Sequence, residues 1–206
     1  MRTSVLSSLT VLTLAWGAHP VAAQPSAQEI REIVRASVDR VRRTAGLYQG
    51  GDNRATQSER QTKTVTLGPA GEISVSNLAG DIVVTKGNGD TATIEIVKTA
   101  RGTTIEDAKE QLRLVQVDVT ERAGRVEVRS QYTRGVHRRS FSTSVAYAIT
   151  APAGTRVTAQ SLSGDITVSD IKGDLALNST SGHIKVSHAG RISRAKTVSG
   201  LSLIHI

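Results

Sequence analysis

Ser163-Gly164-Asp165-Ile166-Thr167-Val168-Ser169, Lys172-Gly173-Asp174-Leu175-Ala176-Leu177 and Ser181-Gly182-His183-Ile184-Lys185-Val186 are three copies of one short pattern, and they decide how this chain folds. Glycine returns at 164, 173, 182, 190 and 200, at intervals of 9, 9, 8 and 10 residues. In each quoted unit, apolar residues stand two and four positions after the glycine. Ile166 and Val168 therefore share one face of a strand, and Thr167 and Ser169 share the other. The Gly-Asp pairs suit turns, because glycine accepts positive φ and aspartate hydrogen-bonds nearby backbone. Repetition at a short fixed period marks stacked units, so it speaks to architecture before it speaks to function.

Two arrangements fit these units. Hairpins would pair successive strands antiparallel, but they favour two-residue Asn-Gly loops, and few such loops are visible. Stacking, with roughly two units per turn, would lay like positions over like and build an inner column from Ile166, Val168, Leu175, Leu177, Ile184 and Val186. The identical register of the units favours stacking. The expectation is an all-β, parallel β-solenoid with short Gly-Asp turns, preceded by an N-terminal amphipathic helix.

Upstream of the repeats the pattern loosens. Gly80-Asp81-Ile82-Val83-Val84 is one further unit, and Thr91-Ala-Thr-Ile-Glu-Ile-Val-Lys98 alternates as a strand. A short helix is predicted from about Thr104 to Leu114, with Ile105, Ala108 and Leu112 on one face. Strands are predicted near Gln116–Thr120, Arg125–Ser130 and Ser142–Thr150, before a turn at Ala151-Pro152-Ala153-Gly154.

These residues carry a resemblance. The Ala-x-x-x-Leu helix precedes strands, then comes AITAPAGTRV (148–157), then AQSLSGDITVSDIKGDLALNSTSGHIKV (159–186). From about Thr62 to Gly200 the chain resembles the putative-adhesin, β-strand-repeat family of bacterial envelope proteins, a domain of unknown function. The resemblance implies an all-β, parallel-stacked domain outside the cytoplasm, and it brings no catalytic residues with it.

The first residues read as an address. Met1-Arg2 is followed by an apolar run from Val5 to Ala18, and Val21-Ala22-Ala23 offers a cleavage site after Ala23. The run is short for a bilayer span. The expectation is a signal peptide at 1–23, an amphipathic helix and flexible linker at 24–61, and a β-strand-repeat domain at 62–206. The mature protein is then exported: periplasmic, cell-surface or secreted, with no stable membrane span. Ser26-Ala-Gln-Glu29 forms a capping box ahead of Ile30, Ile33, Val34, Val38 and Val41, which share one helical face. The polar, glycine-containing stretch from Gln49 to Gln61 reads as the linker.

Composition narrows the chemistry. The chain has no cysteine, so it has no disulfide, thiolate metal site, cysteine nucleophile or lipoprotein anchor. Its formal charge is +8; cleavage after Ala23 removes Arg2 and no acid, leaving +7. A basic exported protein is drawn to anionic polymers. The densest basic patch is Arg134-Gly135-Val136-His137-Arg138-Arg139, so Arg134, His137, Arg138 and Arg139 are the candidate anion-binding residues. Specific nucleic-acid binding needs a groove-reading element or stacking rings. The mature chain has only Tyr48, Tyr132, Phe141 and Tyr147, which argues against it.

Metal and catalytic readings are weaker. Asp81, Asp165 and Asp174 resemble calcium-repeat aspartates in position, but His183 and Arg191 stand where the next acids would fall. His183 and His188 lack a nameable third ligand. Lys172, Asp174, Lys185 and Arg191 would have to meet on one outer face to serve a polysaccharide-active enzyme. No cofactor and no catalytic residue is therefore expected. The function expected is non-catalytic: an adhesin or cell-envelope contact module with an unknown envelope or surface ligand, an anionic polymer being one candidate. The alternatives are an envelope-stress module acting on a membrane partner, and a polysaccharide-active β-helix enzyme.

The last residues break the pattern. After Gly200, apolar residues are due at 202 and 204, but Leu201-Ser202-Leu203 shifts the alternation by one. The expectation is an apolar open edge and a truncated repeat array whose final six residues are foreign to it.

Overall fold

The computed structural model describes residues 54–133 and 143–205. The signal peptide, the amphipathic helix and the basic patch at 134–139 lie outside the described residues. Thirteen strands and one helix are described in chain order: β1 Ala55–Thr66, β2 Glu72–Ala79, β3 Ile82–Lys86, β4 Thr91–Gly102, α1 Ile105–Arg113, β5 Val115–Arg122, β6 Arg125–Tyr132, β7 Thr143–Ala151, β8 Arg156–Ser163, β9 Ile166–Ser169, β10 Asp174–Ser181, β11 Ile184–Ser187, β12 Arg191–Ser199 and β13 Ser202–His205. Among the described residues no helix is long and apolar enough to cross a membrane.

The strands form two sheets around a shared apolar core. The seven-stranded sheet runs β1-β4-β7-β3-β9-β11-β13, and the six-stranded sheet runs β12-β10-β8-β2-β6-β5. The all-β expectation holds; the parallel β-solenoid does not. Both sheets are mixed, because β1–β4, β4–β7 and β5–β6 pair antiparallel. The reason lies in the upstream sequence. There the strands lengthen to 12 residues in β1 and β4, against 4 in β9 and β11, and the glycine metre is lost. β5 and β6 join through the two-residue loop Ala123-Gly124, with Gly124 at φ +69°, a hairpin closed without Asn-Gly.

The other neighbours pair parallel, from β7 through β3, β9 and β11 to β13, and from β6 through β2, β8 and β10 to β12. Ile184 stands beside Ile166, and Leu175 beside Val157, each 18 residues along. Consecutive units thus fall on opposite sheets. Ile166, Val168, Leu175, Leu177, Ile184 and Val186 are all buried, as their spacing predicts. Leu201 and Leu203 are 65% and 62% exposed, while Ser202 takes the place beside Ile184. The shifted alternation does turn the apolar side outward.

Two upstream details differ from expectation. Ala55–Gln61, read as linker, belongs to strand β1 and pairs along β4. In α1, Thr104 caps the helix by accepting from the Asp107 N–H, and Ala108 and Leu112 are buried as predicted. Ile105, at the first position of the helix, is exposed.

The glycine metre has a steric cause. A Cβ on Gly182 would sit 2.2 Å from the carbonyl oxygen of Gly164, and Gly164's would sit 2.3 Å from that of Gly80. Both residues also hold positive φ, at +154° and +139°. The turns stack closely enough that each glycine makes room for the backbone of the next.

Candidate contact face on the seven-stranded sheet

Because the strands pair in register, residues of one type line up across the sheet. Thr64 of β1 stands beside Thr93 of β4, Thr93 beside Thr150 of β7, and Thr150 beside Thr85 of β3. Thr85 then stands beside Ser169 of β9, and Ser169 beside Ser187 of β11. Six hydroxyl side chains on six neighbouring strands make one continuous row. At about 4.8 Å per strand the row is roughly 24 Å long. Alternation sends these side chains away from the core, opposite to Ile94, Ile149, Val84 and Val168, all buried.

The row is ordered from within. Ser187 Oγ lies 3.0 Å from Ser169 Oγ, and Thr85 Oγ1 donates to the Ile149 carbonyl at 3.5 Å. Its neighbour two residues along each strand is a row of small or aliphatic residues, Ala148, Val83 and Thr167, ending in Glu95 on one side and Lys185 on the other. Arg60 pairs with Glu95 at 2.9 Å. The middle of the face therefore carries small, uncharged side chains.

At the turn end of the same face stands a column of acceptors. Asp81 Oδ1 accepts the N–H of Asp165 at 2.9 Å, Asp165 Oδ1 accepts that of His183 at 2.7 Å, and His183 Nδ1 accepts that of Leu201 at 2.9 Å. Burial pushes the Asp81 carboxyl above its ordinary pKa, the bond from Asp165 N–H pulls it back, and the Asp165 charge adds to the rise. The Gly-Asp units are thus turn fasteners, with side chains holding backbone. Past Lys185 the face falls into a shallow groove of about 250 Å³, walled by His183, Leu201 and Leu203.

The candidates for chemistry are dispersed. Lys185 lies on the seven-stranded sheet, while Asp174 and Arg191 stand side by side on the six-stranded one. Lys172 Nζ is bound to the His188 carbonyl at 3.0 Å. His188 Nδ1 lies 3.3 Å from Asp170, in neighbouring turns. His183 and Ser187 are four residues apart along one extended run, roughly 13 Å, so the imidazole is no base for the serine. What this face offers a ligand is a ruled set of hydrogen-bond donors and acceptors.

A second aligned set went unnoticed in the sequence. Asn77, Ser161, Ser179 and Thr197 each precede a glycine by three, and they stand side by side on β2, β8, β10 and β12. Asn77 Nδ2 donates to the carbonyls of Gly80 and Val145, both at 2.8 Å. Ser130 Oγ donates to Asn77 Oδ1 at 2.9 Å, and Thr197 Oγ1 donates to the Gly182 carbonyl at 2.9 Å. Asn77 and Thr197 thus tie turns to the sheets, while the buried Ser161 Oγ has no hydrogen-bond partner. The recurring hydroxyl or amide three before glycine was their signal.

No family model matches the chain, and no curated protein does. Solved structures do. A putative cell adhesion protein from Clostridium sporogenes is 10% identical with a TM-score of 0.48, over 66% of this chain and 64% of its own. A putative adhesin from Parabacteroides distasonis is 15% identical with a TM-score of 0.35, over 71% and 65%. One from Bacteroides fragilis is 12% identical with a TM-score of 0.27, over 71% and 96%. The chain thus spans just under two thirds of the first two. The resemblance read from the sequence and the names of these structures agree: these proteins are called adhesins.

Proposed function

We propose that this protein is a non-catalytic contact module working outside the cytoplasm, with the hydroxyl row of the seven-stranded sheet as its binding face. The observation that carries this reading is the unbroken line Thr64, Thr93, Thr150, Thr85, Ser169, Ser187 across six strands. A rigid sheet loses little entropy on binding, and repeated hydroxyls match a repetitive ligand at many points. The ligand class that fits is an envelope or surface polymer rich in hydroxyl and amide groups. The apolar run before Ala23 supports export, and N-terminal sequencing of the envelope or medium fraction should find the mature chain starting at Gln24.

The test is an array of envelope polysaccharides and surface proteins probed with the purified protein. Thr85→Lys or Thr150→Lys, in the middle of the row, should weaken the strongest signal at least tenfold. Thr120→Lys, on the far sheet, should leave it unchanged. Binding indifferent to both central substitutions would sink the proposal.

A further inference from the structure

The opposite sheet carries a different surface at its margin. On β12, Arg191 stands beside Asp174, Arg194 beside Ala176, and Lys196 beside Asn178. The register shifts between Leu175 and Ala176, so β12 spends one extra residue there. That bulge has a consequence for side-chain direction. Without it, Ser193 would pair with Ala176 and Arg194 would turn toward the core; with it, Arg191, Arg194 and Lys196 share the outer face. Ile192 and Ala195 keep the partly buried side. Ser193 Oγ fixes the bulge by donating to the Leu175 carbonyl at 2.9 Å.

The three cations are exposed, and among the described residues no carboxylate forms an ion pair with any of them. Arg194 and Lys196 repeat about 7 Å apart along the strand. Beside them lie carboxamides: Asn178 next to Lys196, and Gln160 next to Asn178. Unpaired cations in a line favour a linear polyanion, and adjacent amides favour one that also bears hydroxyls. Tyr132 and Tyr147 are turned into the sandwich, so neither gives this face a ring for stacking bases.

We infer that the β12 margin of the six-stranded sheet is a second contact surface, one that takes a linear acidic polysaccharide along the strand. It is independent of the hydroxyl face, and each reading can fail without the other.

Immobilised heparin, over a range of salt concentrations, is the probe for the whole protein. The triple variant Arg191→Gln, Arg194→Gln, Lys196→Gln should bind at least tenfold more weakly at low salt, and its affinity should fall less steeply as salt rises. A charge-matched control, Lys86→Gln, Lys109→Gln, Arg113→Gln, should lose no more than about threefold, the effect of screened, distant charge. Asn178→Ala with Gln160→Ala should weaken heparin severalfold without altering the salt dependence. Arg194→Gln alone repeats the test should the triple variant misfold. Equal losses in the two triple variants would mean that net charge binds and the surface does not. Tighter binding to duplex DNA, or to vesicles of anionic lipid, than to heparin would likewise overturn the inference.

Discussion

The outer faces of the two sheets cover the same core and solve one problem in opposite ways. In-register strands put each side chain beside its counterpart on the next strand. A neutral hydroxyl repeats across such a ladder without penalty, and six do so on the seven-stranded sheet. Charges placed side by side repel unless they alternate in sign. The six-stranded sheet alternates: Arg125 beside Glu72 beside Arg156, with Asp174 beside Arg191. Arg125 reaches Glu72 at 2.6 Å, and Arg156 reaches it at 3.7 Å. Where cations follow one another along β12, their cross-strand neighbours are Ala176 and Asn178, both neutral. Stacking thus favours neutral groups where like repeats like, and among the cross-strand partners of the six-stranded sheet Arg122 beside Arg125, at the β5–β6 turn, is a like-charge exception.

Both faces depend on the strand register, so register is the first thing to break. Ile184 is fully buried, and Ile184→Asp places an unpaired charge in a dry core. It should cost about 3–5 kcal/mol by chemical denaturation. Thr167→Gln, on the outer face one strand away, should cost about 0.5 kcal/mol or less. A larger cost at Thr167 than at Ile184 would mean that the faces are assigned the wrong way round, and equal costs would mean that neither position is set apart by burial.

Glycine replacement is a finer probe of the stacking that both faces share. Gly182→Ala drives a Cβ against the Gly164 carbonyl as well as demanding positive φ, and it should cost about 2–4 kcal/mol. Gly68 also holds positive φ, at +70°, but a Cβ there meets nothing within 4 Å. Gly68→Ala should therefore cost only the conformational part, about 1–2 kcal/mol. The difference between the two melting temperatures measures how tightly the turns are stacked.

What could be seen in the sequence were features of single units. The two-residue alternation placed Ile166, Leu175 and Ile184 inside, and the phase slip at Leu201-Ser202-Leu203 foretold exposed leucines. What could not be seen was which strands meet. β3 lies between β7 and β9, more than sixty residues away, and nothing local to Ile82–Lys86 names those neighbours. The hydroxyl row was hidden for that reason, since Thr93, Thr150 and Thr85 become a line only after the strands pair. Parallel stacking continues upstream of Ser163 through β8, β2 and β3, but the solenoid fails where β1, β4 and β7 pair antiparallel and β5 reverses into β6 at Ala123-Gly124. The cations of β12 were hidden by one bulge, without which Arg194 would belong to the other face.

The smallest effects test the charge rule itself, because the same chemical change should act with opposite sign on the two faces. On the six-stranded sheet, Glu72 holds two arginines, and Glu72→Gln should lower stability by about 0.5–1 kcal/mol, less in high salt. On the seven-stranded sheet, Asp81 and Asp165 are the exception, two acids in successive turns, one bonded to the backbone of the other. Burial first, and the Asp165 charge as well, raise the Asp81 carboxyl in the folded protein above its unfolded value, near 3.9. Folding thus favours the protonated form. Its stabilising contribution is complete below about pH 3.9 and is lost as pH rises through the folded value. Asp81→Asn keeps an oxygen for the Asp165 N–H and removes the charge. The variant should melt above the wild type at pH 7, and the gap should close as pH falls below about 3.9. A variant less stable than wild type at pH 7 would show that the carboxylate charge strengthens the turn, and that like charges do stack on this face.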